Sequence, residues 1–178
     1  MSRNSIALIG FMATGKTKVG KALVEYLGNE YEFIETDQQI IQEIGKSIPK
    51  IFAEEGEDRF REYEISVCER VSNLKNVVIS CGGGVVLNYK NIENLKKNCY
   101  IVLLKASLED IYKRLIKNGK EKRPVINKEN LQNEIKNLLH IREPFYRAAA
   151  EFVIDTSNKT IKKIVREIVI KTGIKTYI

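Results

Sequence analysis

The chain has 178 residues, 43% of them apolar and 30% charged, a size that suits one domain and a composition that supports a packed core. Its formal charge of +7 is uneven, since residues 1–89 hold 10 basic and 13 acidic groups while residues 90–178 hold 20 and 10, and a basic second half points to an anionic partner. No apolar run is long enough to span a bilayer, the first one is too short for a secretory leader, and three cysteines with one histidine make no zinc pattern, so a reducing, cytoplasmic setting is the simplest expectation.

Ser5 to Ile9 is short, apolar and closed by Gly10, which predicts a buried strand. Lys16 to Leu27 carries Val19, Leu23, Val24 and Leu27 at helical spacing and stops at Gly28. Tyr31 to Ile34 reads as a second strand. Asp37 is then placed to cap a helix bearing Ile40, Ile41 and Ile44, ended by Gly45. Ser47 is placed to cap a short helix with Pro49 in its first turn and Gly56 at its end; Glu57 to Leu74 forms a longer one. Val77 to Ile79 is a third strand running into Gly82-Gly83-Gly84. A helix over Asn91 to Lys97 precedes a fourth strand, Tyr100 to Leu104.

Ser107 caps a helix through Leu108, Ile111, Tyr112 and Leu115. Residues 118–125 are polar and basic and read as an exposed loop. Residues 127–150 read as helical with an interruption at Pro144. Phe152 to Ile154 is a fifth strand, and Thr160 to Thr172 a last amphipathic helix. The strands alternate with helices and lack a period of two. That pattern predicts a five-stranded parallel sheet covered on both faces, a three-layer α/β/α fold.

Gly10-Phe11-Met12-Ala13-Thr14-Gly15-Lys16-Thr17 matches the phosphate-loop pattern G-x-x-x-x-G-K-[ST]. Gly10 and Gly15 let the backbone turn so that successive N–H groups face phosphate oxygens. The following helix adds its positive N-terminal end. Lys16 can reach the β- and γ-phosphates, and Thr17 offers a hydroxyl to Mg²⁺. The match sits between a strand and a helix, the context that the motif requires. It implies a bound nucleoside triphosphate with magnesium, without separating a kinase from a GTPase, motor or sensor.

Four further clusters bear on the second substrate. Glu35-Thr36-Asp37 follows strand two, at the sheet end where ligands bind; its carboxylates can serve Mg²⁺ and a substrate hydroxyl, and Asp37 can also be a helix cap. In Gly56 to Glu64, Arg61 shares a helix face with Glu57 and Glu64. Such a run is either a solvated salt-bridged face or a guanidinium fork aimed at a carboxylate and oriented by Glu64. Gly82-Gly83-Gly84 suits a ligand lying against bare backbone. Arg123, in the loop 118–125, and Arg142, in Arg142-Glu143-Pro144-Phe145-Tyr146, can meet anionic groups.

Taken together and in this order, these segments resemble the shikimate kinases, small kinases of the nucleoside-monophosphate-kinase type. Phe33 to Asp37 is similar to that family's D-x-D stretch. Gly45 to Phe52 with Gly56-Glu57, Phe60-Arg61 and Glu64 looks like its most specific segment, and Gly82 to Gly84, Arg123-Pro124, Arg142 with Tyr146, and Asp155 to Ser157 follow. The resemblance spans residues 5–170. It implies ATP-dependent phosphorylation of the 3-hydroxyl of shikimate by a cytoplasmic monomer with no nucleic-acid or membrane partner. It further implies a helical insert over about residues 37–65 that binds the acceptor and a lid over about 117–127.

The resemblance also assigns roles. Asp37 binds substrate hydroxyls, Arg61 and Arg142 clamp the carboxylate, and Gly82, Gly83 and Gly84 meet the ring. Gly10, Met12, Ala13, Thr14, Gly15, Lys16 and Thr17 hold the phosphates, with Arg123 from the lid; Lys117 and Ser157 lie near the adenine. Thr17 ligates Mg²⁺ and Glu35 does so through water. Lys16, Asp37 and Arg123 are the expected catalytic residues.

Three departures stand out: Glu35 replaces the family's first Asp, Ala13-Thr14 replaces a glycine-containing pair, and the adenine-side loop Asn158-Lys159 lacks the proline often found nearby. A gluconate kinase, also acting on a polyhydroxy acid, and an inert nucleotide-binding regulator are the rival readings. The second half shows no aromatic interleaving or recognition-helix pattern for nucleic acid. Its last basic stretch reads as the wet face of a packed helix.

Overall fold

The computed structural model describes residues 3–117 and 131–175. Strands β1 (Ser5–Ile9), β2 (Glu32–Glu35), β3 (Val77–Ser80), β4 (Cys99–Lys105) and β5 (Phe152–Asp155) form one parallel sheet in the order β2-β3-β1-β4-β5. Helices α1 (Lys16–Leu27), α2 (Thr36–Ile44), α3 (Ile48–Ser72), α4 (Tyr89–Asn98), α5 (Leu108–Lys117), α6 (Leu131–Ala149) and α7 (Ile161–Thr172) connect and cover them, with a short 3-10 turn at Val85–Leu87.

The three-layer expectation holds, and the side chains of β1 show why. Ile6 and Leu8 pack with Val78, Val102, Leu104 and Ile154 beneath Val19, Leu23 and Leu27 of α1 and Ile164, Val165 and Ile168 of α7. Ala7 and Ile9 point the other way, with Ile34, Ile79, Ile101 and Leu103, against Ile40 of α2, Val67 and Val71 of α3, Leu95 of α4 and Tyr146 of α6. Both faces of the central strands are dry, so no polar alternation can survive in them.

The chain departs from β1 to β3 and β2 on one side and to β4 and β5 on the other. A crevice therefore opens at the C-terminal end of β1, where connections diverge. The phosphate loop leaves β1 there. Glu35 and Ser80 end β2 and β3 in register at the same edge, and Lys105 and Asp155 pair at the ends of β4 and β5.

Helix punctuation follows the local rules in most places. Gly45 closes α2 in the left-handed region, with its N–H on the Ile41 carbonyl. Gly56, at φ 84° and ψ 170°, divides α3 into the two expected pieces. The Ser107 hydroxyl accepts from the Asp110 N–H, and Thr160 caps α7 by accepting from the Lys163 N–H.

Two expectations are corrected. Asp37 is not the cap of α2: the helix starts at Thr36 with Glu35 as its N-cap, and Asp37 lies inside the first turn. There its charge still favours the helix N-terminus, and the residue lines the crevice. Pro144 does not interrupt α6. It removes one backbone donor, while Ile135, Arg142, Tyr146 and Ala149 on a shared buried side hold both halves in line; tertiary packing outweighs the local penalty. The loop 118–125, with Arg123, and residues 127–130 of the expected helix lie outside the described residues.

Candidate active site

A cavity of about 510 Å³ occupies the crevice. Met12 to Val19, Glu35, Asp37 and Ser80 to Gly83 line it, joined by Arg114, Lys117, Thr156 and Lys159. Most of the residues expected to hold nucleotide and metal thus surround one hollow. Gly10 sits at its root with φ 141°, where a Cβ would lie 2.2 Å from the Leu104 carbonyl oxygen; only glycine lets β1 turn there. Gly15 is also left-handed, at φ 98°.

Ala13 takes φ 60° without being glycine, so the departure noted in the sequence is accommodated in the small left-handed region open to L-residues. The Thr14 hydroxyl is committed inward, donating to the Phe11 carbonyl at 2.8 Å. Thr14 can therefore serve a phosphate only through its backbone. Lys16 Nζ donates to the carbonyls of Gly10 at 2.9 Å and Phe11 at 3.0 Å, which holds the ammonium over the loop.

Thr17 opens α1 and its hydroxyl donates to Glu35 Oε1 at 2.5 Å. The two come together because β2 ends beside the start of α1. They present oxygen donors of the kind that a hard divalent cation takes.

The triple glycine after β3 acts as a meeting point. The Gly82 N–H donates to Thr36 Oγ1 at 2.9 Å, which ties the loop after β3 to the start of α2. A Cβ on Gly82 would lie 2.6 Å from Asp37 Oδ1 and 3.2 Å from Glu64 Oε1; on Gly84, 2.4 Å from an Arg61 guanidinium nitrogen; on Gly83, 3.8 Å from one of Arg142. Side chains from α2 and α3 reach bare backbone at Gly82 and Gly84, where any larger residue would push them back, while Arg142 of α6 stands at ordinary contact distance from Gly83.

Arg61 donates to Glu57 at 2.7 Å and to Glu64 at 3.0 Å. Arg142, 8% exposed, and the Tyr146 hydroxyl flank Gly83 together, 3.8 and 3.9 Å from where its Cβ would lie, and that hydroxyl donates to the Gly83 carbonyl at 2.5 Å. Burial pushes the Tyr146 phenol up to about 12, so it stays a donor. Burial likewise raises the Glu64 carboxyl, against the pull of Arg61. Cys81 beside the glycines is fully enclosed, and burial pushes its thiol well up, which leaves it inert.

Arg114 was not among the expected site residues. It donates to the Ala13 carbonyl at 3.2 Å and to the Thr156 carbonyl at 3.2 Å, bolting the phosphate loop to the loop after β5. Its signal in the sequence was its place one turn before Lys117 on the same helix. Ser157 does not line the cavity; its hydroxyl accepts from the Ser107 N–H at 2.9 Å, and Thr156 and Lys159 take the cavity wall instead. Among the described residues no group of three or more His, Cys, Asp or Glu could hold a metal by itself, and no helix is long and apolar enough to cross a membrane.

A family model described as shikimate kinase matches residues 12–172. A shikimate kinase of Caldanaerobacter subterraneus subsp. tengcongensis is 44% identical over 93% of this chain and 94% of its own length. One from Caldicellulosiruptor bescii is 46% identical over 85% and 86%. Among solved structures, shikimate kinase from Acinetobacter baumannii in complex with shikimate superposes with a TM-score of 0.88 at 33% identity, covering 98% of this chain and 97% of that one. A gluconokinase from Sinorhizobium meliloti 1021 reaches 0.60 at 18% identity, over 97% and 93%, a likeness of fold alone.

Proposed function

We infer that this chain, which belongs to the shikimate kinase family, is itself a shikimate kinase that moves the terminal phosphoryl group of ATP to the 3-hydroxyl of shikimate. The observation that carries this reading is the convergence of Asp37, Arg61 and Arg142 on the three bare glycines beside the phosphate loop. Those side chains offer a base and two planar forks, the set that a hydroxylated ring carboxylate requires.

Phosphoryl transfer asks for positioning and charge more than covalent chemistry. Lys16 exchanges its loop carbonyls for phosphate oxygens when ATP enters. Backbone N–H groups of Met12 to Thr17 cradle the phosphates at the head of α1. Arg114 and Lys117 flank the nucleotide's far end. Arg123, by resemblance, neutralises the moving phosphoryl group. Thr17 and Glu35 fit Mg²⁺: both are oxygen donors, they already touch each other, and they leave room for phosphate and water ligands. When bound, Mg²⁺ supplies positive charge to the phosphate oxygens. Asp37 orients the 3-hydroxyl and accepts its proton as the new bond forms, with little early base help needed. Arg61 and Arg142 fix the acceptor carboxylate so that this hydroxyl lies in line.

The helical insert over 37–65 serves acceptor binding within a single monomeric domain. Three free cysteines, all buried, accord with a reducing cytoplasm. The test is acceptor-dependent ADP release with ATP and Mg²⁺ across a panel of hydroxy acids. Shikimate should turn over with a kcat/KM far above that of gluconate. Comparable values would transfer the chain to a broader polyhydroxy-acid kinase, and ATP binding without acceptor-dependent release would make it an inert nucleotide binder.

A further inference from the structure

Among the described residues Glu64 is the only buried carboxylate, 1% exposed. Its two oxygens are unequally served. Oε2 accepts from Arg61 at 3.0 Å and from Asn91 Nδ2 at 3.4 Å, while Oε1 has no donor. Asn91 of α4, also fully buried, spends Nδ2 on the Val85 carbonyl at 3.1 Å as well and leaves its own Oδ1 without a donor. Two buried acceptors in one contact therefore lack donors, a situation that native interiors avoid.

The charge around Glu64 is finely matched. Arg61 faces it from α3 itself and is divided between Glu64 and the more exposed Glu57. Asp37 of α2 points at the same bare Gly82 position as Oε1. Arg142 and Tyr146 approach from α6, and the thiols of Cys68 and Cys81 from α3 and the loop after β3.

We propose that Glu64 is a proton-linked positioning residue for the acceptor: as the acceptor's carboxylate engages Arg61, Glu64 takes one proton from solvent on Oε1, so that acceptor binding and proton uptake are coupled. This rests on the reading above, in which Arg61 holds that carboxylate. Atoms balance simply, since a carboxylate and a solvent proton become a carboxylic acid and no other bond changes. The cause is competition. Arg61 already serves Glu57 and Glu64, and a third carboxylate draws on the same guanidinium and neutralises Glu64 less. Burial already disposes this carboxyl to hold a proton, opposed by Arg61, reinforced by Asp37 and opposed again by Arg142. The new O–H turns an orphaned acceptor into a donor on the side of Asp37.

Titration calorimetry of the whole chain with shikimate, in buffers of different ionisation enthalpy between pH 6 and 9, tests this. The expected result is net uptake approaching one proton per shikimate and a Kd that weakens with rising pH, by up to about tenfold per unit where linkage is complete. Glu64→Gln should bind shikimate with no net uptake and a flat pH profile. Binding that depends on Arg61 but carries no uptake in the unmodified chain overturns the proposal alone, whether or not the variant folds. Uptake that persists in Glu64→Gln overturns it too. Failure of shikimate to bind, or binding indifferent to Arg61→Ala, overturns the functional reading and this proposal with it.

Discussion

Thr17 and Glu35, separated by 18 positions in sequence, meet at the mouth of the phosphate loop, the Thr17 hydroxyl donating to Glu35 Oε1 at 2.5 Å. This contact turns the hydroxyl's lone pairs away from Glu35 and toward the cavity. The Glu35 side chain spans the gap because β2, separated from β1 only by β3, ends beside the start of α1.

Removing that carboxylate's charge should therefore act through the metal. Glu35→Gln keeps the size and loses the anion, and a lost oxygen partner of this kind costs about 10- to 100-fold in metal affinity or activity. The expected outcome is a rise of that order in the Mg²⁺ concentration needed for half-maximal rate, with shikimate KM little changed. Magnesium titrations at fixed ATP check it; an unchanged requirement would place the metal elsewhere.

The triple glycine separates two functions that the sequence cannot distinguish. A methyl at Gly82 meets Asp37 Oδ1 at 2.6 Å, whereas one at Gly84 meets the Arg61 guanidinium at 2.4 Å. Both obstacles are ends of side chains, so each variant should fold. Gly82→Ala should lower kcat by displacing the base, and Gly84→Ala should mainly raise shikimate KM by displacing the fork. Steady-state kinetics of the two variants decide; identical patterns would deny the division.

The order of elements was legible because each strand is an unbroken apolar run and most helices carry their own cap or glycine stop. The phosphate loop was legible for the same reason, since its spacing is a backbone requirement. What escaped depended on long-range packing. Asp37 looks like a cap, and only the start of α2 at Thr36 puts it in the helix's first turn, at the crevice. Arg114 reads as one more cation on a helix rich in them, until the loops at Ala13 and Thr156 close on it. The pairing of Arg61 with Glu64 follows from helical spacing, but the near-complete burial of Glu64 does not; it depends on α4 bringing Asn91 alongside.

Arg142 sits one helical turn before Tyr146, whose hydroxyl is fixed on Gly83. A lysine there keeps the charge and loses the fork. Charge-assisted hydrogen bonds contribute about 1.5–3 kcal/mol each, so Arg142→Lys should raise shikimate KM by roughly 10- to 100-fold while ATP KM stays near its starting value. A matching loss for both substrates would show that the change disturbs α6 rather than the clamp.

Ala13 holds a left-handed backbone at φ 60°, which costs an L-residue about 1–2 kcal/mol, while glycine there would lose about 0.5–1 kcal/mol in chain entropy. Ala13→Gly should therefore be neutral to slightly stabilising. Ala13→Val, branched where the left-handed region is narrowest, should weaken ATP binding and lower Tm. Thermal unfolding with and without ATP compares them; a valine tolerated without loss would mean that the loop relaxes out of this conformation.

Thr36 connects the two sides of the site through a single buried bond, its hydroxyl accepting from the Gly82 N–H at 2.9 Å. Thr36 is fully buried, so Thr36→Val keeps the shape and strands a buried N–H. An unpaired buried donor costs about 1–3 kcal/mol, and the expected stability loss is of that size. The loss should also appear in catalysis, because the freed Gly82 loop no longer holds its place against Asp37. Thr36→Ser, which restores the acceptor oxygen at the price of one methyl, should recover most of kcat while regaining only part of Tm. Denaturant unfolding and kcat measured on both variants provide the check. Recovery of neither by serine would mean that the methyl's packing, not the hydrogen bond, sets the loop.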